Sequence, residues 1–194
     1  ALAFNDNNVY VSTIPDVFTF FHDSHIVGGG NVYVSVNATG TWGLVGGESL
    51  PNNSWDNNYS QYNAIKVNNN TIYAGSNGSN GNGGTVYQSL NLNNNPQGTT
   101  WSAYTTGTLD GSPIYSIAVN PTNGTIYAST ASNNIFSYES STESWTLIGG
   151  GEFATTNTGV PTFVTLDNSY NVYAATSAVG ESYVARSANG SSPW

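Results

Sequence analysis

Thr125-Ile126-Tyr127-Ala128-Ser129 is the stretch on which the fold turns. It is one of five copies of a short phrase. The others are Asn8-Val9-Tyr10-Val11-Ser12, Asn31-Val32-Tyr33-Val34-Ser35, Thr71-Ile72-Tyr73-Ala74-Gly75 and Asn171-Val172-Tyr173-Ala174-Ala175. Side chains alternate along a strand, so Ile126 and Ala128 share one face and Tyr127 takes the other. Both faces are then apolar, which suits a sheet packed between two neighbours. Each copy follows a polar turn, and each turn follows another apolar pair: Leu2/Phe4, Ile26-Val27, Ile65/Val67, Ile117/Val119 and Phe163/Leu166.

Around the third copy the pattern extends to four strands. Ile65-Lys66-Val67 is a first strand, Asn68-Asn69-Asn70 a tight turn, and Thr71 to Gly75 a second strand. Thr85 to Ser89 is a third strand after a Gly/Asn loop, and Trp101 to Tyr104 begins a fourth. The next unit runs the same way through Ile117–Val119, Ile126–Ser129, Ile135–Tyr138 and Trp145–Ile148. Trp55, Trp101, Trp145 and Trp194 mark the period, with spacings of 46, 44 and 49 residues. Four antiparallel strands per unit of about 40–50 residues predict a propeller blade. No stretch combines helical periodicity with good helix formers. The expected fold is therefore all-β, a single propeller-like domain over 1–194 with four or five blades, the motif count favouring five. The expected division is an N-terminal strand segment, 1–25, then repeat units 26–61, 62–113, 114–161 and 162–194. The unit ending at Trp194 lacks a fourth strand. Either the N-terminal segment or a neighbouring subunit is expected to complete it, because an open sheet edge is sticky.

Composition narrows the function. Charged residues are 7% of the 194, against about 25% in ordinary domains. Asn, Ser, Thr and Gly must wet the surface instead, which points to an extracellular or cell-surface protein. Net charge is −9, and Lys66 and Arg186 are the only strong cations. Two cations cannot neutralise a run of phosphates, so nucleic acid is excluded as a partner, and anionic lipid on the same ground. No apolar run approaches the roughly 20 residues that span a bilayer, so no membrane insertion is expected. Cysteine is absent, which removes disulfides, thiolate nucleophiles and Cys-zinc sites. Ala1-Leu2-Ala3 looks like the small-residue end of a leader peptide, so the chain reads as mature.

The residues also carry a family likeness. Val86-Tyr87-Gln88-Ser89, Thr99-Thr100-Trp101, Ile117-Ala118-Val119-Asn120-Pro121 and Thr125 to Thr130 together resemble the Asp-box (BNR-type) β-propellers. Those repeats place roughly Ser-x-Asp-x-Gly-x-Thr-Trp between their third and fourth strands. Ser187-Ala188-Asn189-Gly190-Ser191-Ser192-Pro193-Trp194 keeps Ser, Gly and Trp but has Asn where the Asp belongs; Ser140 to Trp145 keeps less. The likeness covers roughly 62–194. It implies a fold rather than an activity, because that family hosts sialidases, glucanases, receptors and assembly factors.

A glycosidase needs two acids facing each other across a sugar. Most of the acids here sit in Asn/Gly/Ser turns, where Asp caps its own turn. If the chain is an enzyme, Asp23, Asp56 and Asp110, near repeat junctions, are the first to test. A sialidase needs an arginine cluster, and Arg186 stands alone. His22-Asp23-Ser24-His25 puts its two histidines on opposite faces of an extended segment, which disfavours a metal site or a triad. The Asp-x-Asn runs lack the closing Glu of a calcium loop. Gly28-Gly29-Gly30 and the 78–84 loop precede no helix that could hold a phosphate. No metal and no cofactor are expected.

Seven sequons fall in turns: Asn37, Asn52, Asn58, Asn69, Asn77, Asn123 and Asn189 each open Asn-x-Ser/Thr. Three functions follow in order of expectation. The first is a non-enzymatic extracellular structural or adhesive module, self-assembling by strand exchange into a homo-oligomer or filament. The second is a lectin for cell-surface glycans, using Trp42, Tyr59, Tyr62 and Tyr104, since aromatic rings and amides suit sugars. The third is a glycoside hydrolase of the Asp-box type.

Overall fold

The alternation of the phrase builds sheets with two buried faces. The computed structural model describes residues 1–5, 7–13, 16–20, 23–27, 31–46, 62–77, 83–90, 92, 95–105, 109–150, 163–178, 181–190 and 194. The first blade contains β1 (Leu2–Asn5), β2 (Asn8–Ser12), β5 (Val32–Ser35) and β6 (Trp42–Leu44). A separate hairpin, β3 (Asp16–Phe20) and β4 (Asp23–Val27), lies between β2 and β5 in the chain. The second blade is β7 (Tyr62–Asn68), β8 (Thr71–Ser76), β9 (Val86–Leu90) and β10 (Ser102–Ala103). The third is β11 (Ile114–Val119), β12 (Ile126–Thr130), β13 (Ile135–Glu139) and β14 (Ser144–Gly149). The fourth, among the described residues, has three strands: β15 (Phe163–Leu166), β16 (Val172–Ala178) and β17 (Glu181–Ser187). Neighbouring strands are antiparallel throughout. The tight turn expected at Asn68–Asn70 is present, with Asn69 at φ 48°, a conformation Asn tolerates.

Two expectations need correction. The phrase at 31–35 is not the second strand of another unit. It is β5, the third strand of the first blade, paired with β2 from Val9–Ser35 to Ser12–Val32. The first sheet therefore crosses the boundary expected at 25/26, and the described residues form four blades. Alternation fixes which side chains share a face; it does not fix a strand's place within the sheet. Nor does the N-terminal segment complete the last blade, because β1 and β2 are already the first two strands of the first.

The first strands β1, β7, β11 and β15 neighbour one another in chain order. Three apolar clusters hold the four blades in series. Tyr10 and Val34 of the first blade meet Ile72 and Ala74 of the second. Tyr73 and Val86 of the second meet Ile126 and Ala128 of the third. Tyr127 and Ile135 of the third meet Val172 and Ala174 of the fourth. In the second strands β8 and β12 the division of labour inside the phrase is constant: Tyr faces the next blade, and Ile and Ala face the previous one. In β5, a third strand, it is reversed, with Val32 and Val34 toward the second blade. Each large side chain so buried contributes about 1.5–3 kcal/mol. The approach is close: a Cβ on Gly75 would come within 2.5 Å of Ile114 Cγ2 in the next blade.

The tryptophans tie the same joints. Trp101 Nε1 donates to the Val45 carbonyl at 3.0 Å, Trp145 Nε1 to that of Tyr104 at 3.3 Å, and Trp194 Nε1 to that of Ile148 at 2.7 Å. Each acceptor belongs to the preceding blade. Register puts Trp42 at the place of Trp145 in the first blade. Trp42 pairs with Ser35, which pairs with Val9; Trp145 pairs with Tyr138, which pairs with Ile126. Val9 and Ile126 hold the same place in the phrase. Trp55 lies outside the described residues.

Candidate functional site

The candidate acids were expected at repeat junctions, and Asp110 stands at one, just before β11. Its Oδ1 accepts the Ser112 N–H at 2.9 Å, and its Oδ2 accepts Thr130 Oγ1–H and Asn134 Nδ2–H, each at 2.7 Å. This carboxylate braces the β12–β13 turn against the entry to β11. Asp167 does the same in the β15–β16 turn. Its Oδ1 accepts the N–H groups of Ser169 and Asn171, and its Oδ2 accepts Asn171 Nδ2–H and Tyr173 O–H. The hydrogen bonds from Asn171, with those from Ser169 and Tyr173, hold its pKa below the usual carboxylate value. Asp23 opens β4, where its backbone pairs with Phe20. Asp56 lies outside the described residues. A groove of about 270 Å³ between the third and fourth blades is lined by one carboxylate, Glu139, with Thr125, Thr142, Thr146 and Gly190. Among the described residues no cluster of three His, Asp or Glu side chains could hold a metal ion.

The aromatic candidates separate. Tyr104 sits at the joint between the second and third blades. Its ring meets Tyr138 edge-on at 4.7 Å and stacks on Tyr73 at 6.3 Å, and its O–H donates to Gln88 Oε1 at 2.5 Å. Burial, then the neighbouring Tyr73, pushes its phenol well above the ordinary range. One side of Tyr104 still lines a pocket of about 260 Å³ with Trp145, Thr85, Thr105 and Gly84. Trp42 is a blade away, 48% exposed, in a groove of about 350 Å³ with Val11, Tyr33 and Thr13. Tyr62 opens β7, its backbone paired with Ser76; Tyr59 lies outside the described residues. The structure thus does not bring Trp42 and Tyr104 into one site. Sequence reasoning did not find Val11 and Tyr33 as partners of Trp42. The signal was the register of β5 on β2, hidden while residues 31–35 were assigned to another unit.

Four of the sequon asparagines share one blade end. Asn69 and Asn123 lie in turns between first and second strands, and Asn37 lies in the 3-10 turn Val36–Ala38 between third and fourth. Asn189 lies in the 3-10 turn Ala188–Gly190 that follows a third strand. Antiparallel pairing puts all four at the same end of their blades, whereas Asn77 follows a second strand at the other end. Asn37, Asn69 and Asn123 are exposed. Asn52 and Asn58 lie outside the described residues.

No protein-family profile matches the chain, and no curated protein matches it. Solved structures do. A Bacteroides thetaiotaomicron structural-genomics protein of unknown function is 16% identical, with a TM-score of 0.59 over 98% of this chain and 41% of that one. A computationally designed protein is 16% identical, with a TM-score of 0.51 over 97% of this chain and 45% of that one. The GH74 xyloglucanase of Xanthomonas campestris is 13% identical, with a TM-score of 0.51 over 98% of this chain and 37% of the enzyme. The chain therefore has a β-propeller-type fold and spans less than half the length of these matches.

Proposed function

We propose that this chain is a non-enzymatic extracellular module, structural or adhesive, of the degenerate Asp-box type, and that it assembles with itself. One observation carries the reading. Asp110, the described candidate whose side chain is placed, is fully engaged by Ser112, Thr130 and Asn134. Its oxygens are occupied in bracing the β12–β13 turn, not aimed at a second carboxylate across a cleft as a glycosidase pair would be. The Asp-box part is supported by Ser140 to Trp145, whose Ser140 to Glu143 form the turn between third and fourth strands, where that motif belongs, and whose Trp145 lies in β14. The surface part is supported by the exposed sequon turns at one blade end, where glycans would supply the hydration that charge does not. A hydrolysis screen on neutral and acidic polysaccharides, xyloglucan included, tests the reading. No turnover is expected; turnover abolished by Asp110→Asn would overturn it.

Carbohydrate binding is the second reading, and the Tyr104 pocket favours it. Two aromatic rings, two threonine hydroxyls and a glycine backbone converge there, the mixture a sugar ring needs. The Trp42 groove has fewer polar side chains, with Thr13 and Tyr33 beside Val11 and Trp42. On a glycan array, binding lost in Thr105→Val and kept in Trp42→Ala would establish a lectin at Tyr104.

A further inference from the structure

The joint between the third and fourth blades is packed differently from the one before it. In the second blade Tyr73 pairs with Gln88 and Gln88 with Ser102, so the three share the face toward the third blade. Tyr104, two residues past Ser102, donates its O–H to Gln88 Oε1. In the third blade the same places hold Tyr127, Ser137 and Thr146. Ile148 stands where Tyr104 does, since each carbonyl accepts the indole N–H of the following blade's tryptophan. Two large side chains thus become smaller, and a groove of about 270 Å³ opens beside Ser137 and Ile148. Thr125 and Ser137 line it at 6% and 7% exposure. The Thr125 N–H donates to Asn123 Oδ1 and its carbonyl accepts from the Asn120 N–H. Among the described residues, neither the Thr125 nor the Ser137 hydroxyl has a hydrogen-bond partner, although buried hydroxyls ordinarily do. Thr146 and Glu139 line the same groove from exposed positions. Burial, then the Glu139 carboxylate, raises the pKa of the Tyr127 phenol beside them.

We propose that this groove is a carbohydrate site that seats one sugar ring between the third and fourth blades. The hydroxyls of Thr125, Ser137 and Thr146 can each donate and accept, while the Glu139 carboxylate only accepts. Sugar hydroxyls also do both, so one ring can satisfy all four groups. An ammonium only donates and leaves the hydroxyl protons without acceptors, and the carboxylate repels an anion. Ile148 adds apolar surface for the C–H face of a ring. The volume of about 270 Å³ lies below the roughly 300–1,000 Å³ of drug-sized sites, which suits a single ring. The site stands apart from the Tyr104 pocket and does not depend on it. That pocket lies one joint earlier, among residues that precede third and first strands; the groove lies at the other blade end, beside Thr125 and Thr142.

Amide NMR of the full chain tests this, with titrations of the methyl glycosides of glucose, galactose, mannose and N-acetylglucosamine and of methylammonium chloride. At least one glycoside should shift the Thr125, Ser137 and Thr146 signals along a saturating curve, and methylammonium should not. Glu139→Gln, a change at an exposed position, should weaken that glycoside by about 10-fold, as loss of a charged acceptor does. Ser137→Gln with Ile148→Tyr refills the groove with the residues of the second blade and should abolish the shifts. If that pair fails to fold, Ser137→Val removes one buried hydroxyl and should weaken binding in its place. No response to any glycoside overturns the proposal, and so does a response that every variant retains. Saturation by methylammonium alone would make the groove a cation site and overturn it as well. Shifts confined to Thr85 and Thr105 would put the sugar in the Tyr104 pocket, overturning this site while keeping that reading.

Discussion

Trp42 and Trp145 hold one register place in two blades and differ in what lies behind them. Trp145 is buried and donates to the Tyr104 carbonyl of the preceding blade. Trp42 has no blade behind it, and among the described residues its indole meets no acceptor. Trp145→Ala should therefore cost about 3–5 kcal/mol. Trp42→Ala, measured on dilute protein, should stay within about 0.5 kcal/mol, as surface changes do. Urea unfolding of both variants checks this, and equal losses would break the assigned register. Asp167 supplies a second residue-scale expectation. Its pKa is lowered on folding, so its contribution is complete above the ordinary carboxylate value. That contribution disappears as pH falls through the lowered one. NMR titration should find Asp167 among the last carboxylates to protonate, and Asp167→Asn should flatten the acid limb of the stability curve.

The five-letter phrase made the strands legible, because alternation translates directly into faces. Tyr127, Ile126 and Ala128 lie where alternation puts them, on opposite sides of one strand. Strand order was less legible. Asn31-Val32-Tyr33-Val34-Ser35 has the letters of a second strand and serves as a third, since the β3–β4 hairpin intervenes and sheet position is set by tertiary pairing. That misplacement also hid the register place of Trp42. Asp110 could be named from sequence, but its bracing role could not, because Thr130 and Asn134 reach it only once β12 and β13 pair. The joint between blades carries its own prediction. Burial raises the pKa of Tyr73 and of Tyr104 at the joint of the second and third blades. Folding thus favours their protonated forms. Their stability is full below the ordinary phenol pKa near 10 and is lost as pH climbs beyond it toward the raised values. Absorbance titration should show late-ionising tyrosines, and Tyr104→Phe should lessen the alkaline loss.

At the scale of the molecule, four blades in series make an arc with a Tyr face at one end and a Val/Ile face at the other. Few charges and many neutral polar side chains leave the surface wetted by amides and hydroxyls. The series therefore states a geometry that can be seen. A crystal structure of this chain is the most direct measurement of it. It should show four blades in open series, with β5 paired between β2 and β6 in the first. A closed four-bladed ring within a single chain would leave no open faces and would contradict the account.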